Sequence, residues 1–193
     1  MVLNERETRH NHLMNAARQI MTAARTAPKG KGMDIIEIAA IEGDDIKVLS
    51  DKTRALGEQN GLKFFLRDAE NILSAEFVII IGTHPEEHGL NCAHCGFPTC
   101  ADKPEMTPCA LNSVDVGIAI GSACATIADL RLDSRVMFSV GLAAQELNWL
   151  DGCKSVFAIP VSASSKNPFF DRKPKEPENT ENTENAENVE NAR

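Results

Sequence analysis

Apolar residues recur at helical spacing near the start of the chain and predict an amphipathic helix over residues 5–26. The residues on its apolar face are Leu13, Ala17, Ile20, Met21 and Ala24. The segment APKGKG ends this helix, because proline and glycine both interrupt helical structure. The next apolar run, DIIEIAAIEG, is short and rich in β-branched residues, which predicts a strand.

A second helix is predicted to begin at Asp44 or Asp45 and to end at Gly61. Its apolar face carries Ile46, Leu49, Thr53 and Leu56. The segment RDAENILSA predicts another short helix, and EFVIIIG after it predicts a strand that is buried on both faces. A strand, a helical crossover and a strand in this order predict parallel pairing of the two strands.

The second half of the chain begins with the long apolar segment PCALNSVDVGIAIGSACATIADL, which is typical of a central, buried helix. Thr107 is the predicted N-cap, with Pro108 at the first helical position. Gly117 and Gly121 are expected to admit a close neighbouring backbone. A further helix is predicted from about Ser134, and a last strand is predicted at SVFAIPVS. The apolar stripe of this helix consists of Val136, Val140, Ala143, Leu147 and Leu150. Together these elements predict one α/β domain over residues 1–172, with a small sheet.

Composition narrows the function classes. The net charge of −8 over 193 residues argues against a nucleic-acid or anionic-membrane surface. The charged N-terminal segment and the absence of a run of about 18 apolar residues predict a cytoplasmic protein with no membrane span. Residues 173–193 are a Glu-Asn repeat with almost no apolar residue, so we expect an acidic, disordered tail.

Four of the six cysteines fall in or next to one loop, residues 90–109, directly after the predicted buried strand. They are Cys92, Cys95, Cys100 and Cys109, and their spacing is Cys-x2-Cys-x4-Cys-x8-Cys. A reducing cytosol argues against disulfides. Tetrahedral thiolate coordination suits both zinc and iron–sulfur chemistry, and free thiols are the remaining alternative. Three cysteines within nine residues favour a [4Fe–4S] cluster, and a thiolate at Cys109 would be stabilised in the first turn of the following helix.

The segment CAHCGFPTC resembles the cysteine segment of [4Fe–4S] domains in corrinoid iron–sulfur proteins and related electron-transfer subunits, in which the last cysteine lies further downstream. From Asn15 to Arg172, the chain is similar to a family of uncharacterised prokaryotic proteins that contain a ferredoxin domain. The shared segments are AARTAPKGKG, RDAENI, the cysteine loop, PCALNSVDVGIAIGSA and KNPFFDR. This resemblance implies a cluster and a cytoplasmic location.

The segment AARTAPKGKGMD also resembles the end of a helix in flavin nitroreductases. Ala27 and Pro28 match that family, whereas Lys29 and Gly32 replace its serine and asparagine, and its early Arg-Arg-Ser-x-Arg run has no counterpart. The resemblance implies a nitroreductase-like scaffold with FMN as a second cofactor. Lys29 and Lys31 on a glycine-rich loop could meet a phosphate, although a solvated turn is the favoured interpretation.

The remaining candidate residues are assigned ordinary roles. His84 and His88 are expected in a solvated loop, and His94 is expected to be exposed or to hydrogen-bond near the cluster. Cys124 and Cys153 are expected to be core residues. No nucleophile-and-base set is evident from the sequence, so the pattern leaves open whether the protein is an enzyme.

Three functions follow from these patterns. The first is a cytosolic iron–sulfur protein that transfers or senses single electrons through a [4Fe–4S] cluster, together with a redox partner protein. The second is a nitroreductase-like flavin oxidoreductase that the cluster supplies with electrons. The third is a structural or interaction module held together by zinc. A homodimer is a further state that the sequence leaves open.

Overall fold

The computed structural model describes residues 1–170 of the chain, and the predicted acidic tail at 173–193 lies outside them. The helices are α1 (Glu5–Thr26), α2 (Asp44–Asn60), α3 (Lys63–Ile72), α4 (Ala110–Asp129) and α5 (Phe138–Glu146). The strands are β1 (Ile36–Ile41), β2 (Phe77–Thr83), β3 (Asp133–Ser134) and β4 (Lys154–Ser162). Two short 3₁₀ turns lie at Gly30–Gly32 and Cys100–Asp102. The described part of the chain thus forms a mixed α/β fold, as the sequence predicts.

The sheet has four strands in the order β1-β2-β4-β3, and every neighbouring pair is antiparallel. The predicted parallel pairing of the first two long strands is therefore wrong. The reason lies in their connection, since α2 and α3 form two packed helices between β1 and β2. A single crossover helix returns the chain to the start of a parallel strand. The second helix carries the chain back again, so that β2 runs against β1.

Strand β2 lies in the middle of the fold and is buried along its whole length. Ile79 and Ile81 face a core formed with α1 and α4, whereas Val78 and Ile80 face a second core formed with α2, α3 and α5. Helices therefore cover both faces of the sheet. This arrangement explains why β2 is apolar at every position, and it confirms the prediction of a strand buried on both faces.

Helix α4 is less buried than its sequence predicts. Its buried side packs against α1 and the sheet, whereas Val114 and Ile118 are 53% and 38% exposed. Gly117 and Gly121 lie on this open side, where an added Cβ would meet nothing within 4 Å. The predicted close backbone approach occurs instead at Gly141 in α5, whose Cβ would lie 2.2 Å from the carbonyl oxygen of Val156.

Among the described helices, α4 alone is long and apolar enough to cross a membrane, with a mean hydropathy of 1.4 over its most apolar window. A core helix of a soluble protein passes the same test, and one such helix is weak evidence for a span. Because its buried side packs on α1 and β2 within a single domain, we interpret α4 as a core helix.

Two predicted helix starts lie too early in the sequence. Cys109 rather than Thr107 is the N-cap of α4, so the helix begins at Ala110. The helix predicted from about Ser134 begins at Phe138, because Asp133 and Ser134 pair with β4 as a short edge strand. Val136 is consequently 43% exposed and outside the helix. At Ser134 a tertiary contact, the pairing with β4, overrides a helical pattern in the sequence.

Candidate cluster site

The cysteine loop occupies residues 84–109, between the end of β2 and the start of α4. Several of its residues adopt the left-handed backbone conformation, including the non-glycine residues Asn91 (φ 48°) and Ala93 (φ 58°). The Asn91 side chain accepts a hydrogen bond from the backbone N–H of Cys100 at 2.8 Å. This contact across nine residues closes the loop between Asn91 and Cys100.

Cys92, Cys95, Cys100 and Cys109 all line one small pocket. All four side chains are partly buried and none forms a disulfide. Cys109 enters the pocket from the N-cap of α4, where the unpaired N–H groups of the helix favour negative charge. The fold therefore gathers the four predicted ligands, and Cys109 lies at the helix N-terminus even though the helix begins later than predicted.

The four cysteines are not positioned as ligands of one metal ion. Among residues 1–170, no three His, Cys, Asp or Glu side chains are arranged so that they could hold one metal ion. The donor set nevertheless fits a thiolate-bound group, because four cysteines and no other thiol surround the pocket. A zinc ion requires all four sulfurs about 2.3 Å from one point, whereas a cluster is bound by thiolates spaced around its periphery.

Charged side chains hold the ends of the loop in place. The Lys103 side chain is 5% exposed, and its ammonium lies 3.0 Å from Glu87 Oε1 and donates to the carbonyl oxygen of Thr107 at 2.8 Å. Thr99 and Asp102 cap the short 3₁₀ turn that carries Cys100. These contacts hold the segments on both sides of Cys100 in place.

A buried pair lies behind Cys109. His88 is 2% exposed, so the expected solvated loop position for this residue is wrong. His88 Nε2 lies 3.1 Å from Oδ2 of Asp115, a buried residue of α4, and His88 Nδ1 lies 4.0 Å from Cys109 Sγ. His84 is partly exposed and lies 3.7 Å from Glu37, and His94 is exposed.

Asp115 and Asn112 are two further polar residues at the site that the sequence pattern alone did not reveal. The sequence did contain a signal for them, because Asn112 and Asp115 are three positions apart, about one helical turn, in a mostly apolar segment. Asn112 Nδ2 donates to the carbonyl oxygens of His84 and Glu86, which fastens the start of the cysteine loop to α4. Asn112 Oδ1 is buried and has no partner among the described residues.

Cys109 also borders a second, larger cavity of about 260 Å³. This cavity lies between the start of α4 and the adjoining ends of β2 and β4, and its lining includes Met106, Asn112, Lys154 and Ser155. Met106 is 92% exposed. Ser155 is in the left-handed conformation (φ 50°), next to an irregular register between β2 and β4. Cys109 thus lies between the cysteine pocket and this larger cavity, which is accessible to other molecules.

The APKGKG loop does not offer a free phosphate site. Lys29 donates to the carbonyl oxygens of Ala24, Arg25 and Ala27 at the C-terminus of α1, and desolvation lowers its pKa. The Gly30 N–H donates to Asp115, and the Lys31 ammonium donates to the carbonyl oxygen of His88 at 2.9 Å. The favoured interpretation, a solvated turn, also needs correction, since these contacts tie the loop to α4 and to the cysteine loop.

Comparison with known proteins identifies relatives along most of the chain. A protein of Archaeoglobus fulgidus described as uncharacterized is 36% identical over 186 residues, which span 91% of this chain and 100% of that protein. Residues 105–172 match the model of a family described as uncharacterized proteins containing a ferredoxin domain. The chain belongs to this family. The matched range includes Cys109 but not the other three cysteines, so membership of the ferredoxin-domain family does not by itself identify the four ligands.

Solved structures show which fold the ferredoxin-domain family member adopts. Nitroreductase CinD from Lactococcus lactis in complex with nicotinic acid has a TM-score of 0.57 and 15% identity, covering 86% of this chain and 81% of that chain. A nitroreductase with bound FMN from Bacteroides fragilis has a TM-score of 0.56 and 11% identity, covering 86% and 84%. The nitroreductase-like scaffold that the sequence suggests is therefore confirmed. At these identities the likeness concerns the fold alone.

Proposed function

We propose that this protein binds a [4Fe–4S] cluster through Cys92, Cys95, Cys100 and Cys109 and serves in one-electron transfer or redox sensing in the cytoplasm. The observation that carries the proposal is that all four cysteines line one pocket at the N-terminus of α4. The ferredoxin-domain description of the family supports an iron–sulfur group. Four thiolate ligands are the usual complement for such a cluster.

The residues around the pocket would set the properties of the site. A bound cluster supplies one-electron redox chemistry. Cys109 places one ligand at the positive end of the α4 dipole, which favours the more negative, reduced state and raises the reduction potential. The partly buried position of all four cysteines limits access of water to the sulfurs, and the contacts of Lys103 hold the loop around them.

A redox partner would bind at the cavity beside Cys109 and exchange electrons with the cluster there. This cavity of about 260 Å³ shares Cys109 with the cysteine pocket, so a molecule bound there lies directly behind one ligand. The exposed side chains of Met106 and Lys154 lie at this cavity. A small organic electron acceptor and a partner protein would both have access to the cluster from this side.

A flavin oxidoreductase is the second candidate, and the fold supports it, since a nitroreductase of this fold binds FMN. The APKGKG loop does not fit the FMN phosphate, because its lysines and the Gly30 N–H already have protein partners. A flavin would therefore need a different phosphate site from the one that the sequence suggests. A zinc-bound module is the third candidate, and it differs from the first two in metal content.

Anaerobic purification followed by iron, sulfide, zinc and flavin analysis tests all three functions. We expect a brown protein with about four iron and four sulfide per chain, as four thiolate ligands imply. One equivalent of zinc without sulfide, after attempted reconstitution, would instead establish the zinc-bound module. Flavin released by acid in a stoichiometric amount, together with the cluster, would establish the second candidate.

A further inference from the structure

A line of buried polar contacts connects the APKGKG loop to Cys109, although Gly30 and Cys109 are far apart in the sequence. The Gly30 N–H donates to both carboxylate oxygens of Asp115, at 3.0 and 3.1 Å. Asp115 Oδ2 lies 3.1 Å from His88 Nε2. His88 Nδ1 in turn lies 4.0 Å from Cys109 Sγ. The side chains of His88 and Asp115 are only 1% and 4% exposed.

We propose that His88 and Asp115 are positioning residues that orient Cys109 as the fourth cluster ligand, and that Gly30 provides their remote support. This inference rests on the proposed cluster function. Residues that orient metal ligands from behind through hydrogen bonds are common, and their loss costs about 10–100-fold in metal affinity. The arrangement here has the same form, with a carboxylate that orients an imidazole and an imidazole that faces a ligand.

The contacts of His88 leave little freedom for its ring. Its Nε2 is fixed by Asp115, and its backbone oxygen accepts a hydrogen bond from the Lys31 ammonium. Within residues 1–170, the polar contact of Nδ1 is Cys109 Sγ. The Asp115 carboxylate accepts from Nε2–H, so Nδ1 accepts from the Cys109 S–H in the metal-free protein. A buried polar atom needs a partner, which keeps the ring against Sγ. The ring therefore determines where the Cys109 side chain points when α4 and the loop are in place.

A substitution at Gly30 would disturb this arrangement without changing Cys109, His88 or Asp115 themselves. An added Cβ at Gly30 would lie 2.8 Å from His88 Nε2 and 2.9 Å from His88 Cδ2. Contacts this short require the imidazole to shift. Gly30 is not in the left-handed region, so alanine meets no backbone penalty there. Gly30→Ala thus changes the position of the His88 ring without substituting any residue of the cysteine loop.

The first test compares Gly30→Ala with Gly117→Ala. Gly117 is a matched control, because it lies on α4 and its added Cβ would meet nothing within 4 Å. Both variants are reconstituted anaerobically with the wild type, and iron content, the electron paramagnetic resonance spectrum, reduction potential and melting temperature are measured. We expect Gly30→Ala to lose roughly half or more of its iron, or to shift its potential and spectrum, as for other losses of ligand-orienting contacts. Gly117→Ala should match the wild type. A fully loaded Gly30→Ala protein with wild-type potential would overturn the inference.

A second test does not depend on a cluster. In the metal-free protein, the alkylation rate of Cys109 relative to Cys100 is measured by mass spectrometry for His88→Leu and His88→Gln. We expect His88→Leu to change this ratio several-fold and the polar His88→Gln to restore part of it. A ratio that stays constant in both folded variants would overturn the inference. If the wild type binds no iron, the proposed function fails while this ratio still tests the positioning, so the two failures are distinguishable.

Discussion

Cys92, Cys95, Cys100 and Cys109 line a pocket in an irregular loop, whereas Cys124 and Cys153 lie against the two apolar cores of the sheet. The loop is held by side-chain contacts such as those of Lys103, and several of its residues adopt left-handed backbone conformations. Cys124 lies in helix α4, and Cys153 directly precedes strand β4, so both belong to regular secondary structure or adjoin it. Burial raises the pKa of the Cys124 thiol, and it raises the pKa of Cys153 to about 11.

The difference between the two regions shows why the cysteine count alone does not give the ligand count. A thiol in an apolar core is held neutral and inert, because burial opposes formation of the thiolate that binds metal. A thiol in the loop has hydrogen-bonding groups and a helix N-terminus nearby. The six cysteines of the chain therefore divide into four ligand candidates and two core residues.

The largest expected effect comes from exchanging cysteine for serine in each region. Cys109→Ser should lose the intact four-iron cluster, with a three-iron form as the product, because serine replaces one of four thiolates. Cys124→Ser should keep the cluster at a modest cost in stability from a polar atom near the core. Iron counts and electron paramagnetic resonance spectra of the two variants measure the contrast.

The reverse pattern would show that the ligand assignment is wrong. Cys109 and Cys124 are fifteen positions apart on or next to α4, which corresponds to roughly 22 Å at about 1.5 Å per residue. One cluster cannot reach both cysteines. Loss of the cluster in Cys124→Ser together with its retention in Cys109→Ser would therefore require a different fold around the start of α4.

The two regions also differ in how far the sequence predicts them. Local periodicity identified α1, α2 and the buried strand β2, because their apolar faces repeat at 3.6 or remain continuous. The antiparallel pairing of β1 and β2 could not be obtained in this way, since it depends on how α2 packs against α3. Strand direction is a tertiary property.

Within the site, spacing identified the four cysteines but not the residues behind them. His88 is recognisable only after the fold places it against Asp115, a contact over 27 positions in the sequence. The two lysines of APKGKG similarly acquire their partners from α1 and from the cysteine loop. Residue types therefore predict a thiolate-bound group, whereas the orientation of the four cysteines depends on contacts that no local pattern records.

An intermediate effect is expected on the pH dependence of stability, through the buried Cys153 thiol of the core region. Burial raises the pKa of Cys153 to about 11 in the folded protein, whereas the pKa of an unfolded cysteine is near 8.5. The neutral thiol therefore contributes its full stabilisation below about pH 8.5. This contribution is lost as the pH rises through about 11. We expect Cys153→Ala to reduce the fall in unfolding free energy between about pH 8.5 and 11 by about 2–3 kcal/mol.

Thermal or urea unfolding of the metal-free protein at several alkaline pH values measures this difference. Cys124→Ala is the comparison, because burial also raises the pKa of the Cys124 thiol but Cys124 is less buried. It should remove a smaller part of the alkaline loss. An identical pH dependence in the wild type and in Cys153→Ala would show that the Cys153 thiol ionises as freely as in the unfolded chain.

The smallest expected effect concerns the boundary where the cysteine loop passes into α4. The sequence predicts Thr107 as the N-cap, and loss of a threonine cap typically costs about 1 kcal/mol. In the structure Cys109 has that position, and no hydrogen bond of the Thr107 side chain is found among the described residues. Thr107→Ala should therefore reduce the free energy of unfolding by less than about 0.5 kcal/mol.

Asn4→Ala provides the matched control, because the Asn4 side chain caps α1 by accepting a hydrogen bond from the backbone N–H of Arg6 at 3.0 Å. We expect this variant to lose about 0.5–1 kcal/mol in the same urea titration, more than Thr107→Ala. If Thr107→Ala lost as much as Asn4→Ala, α4 would begin at Pro108 in solution. Cys109 would then lie within the first turn of the helix, and the loop that carries the other three cysteines would end two residues earlier.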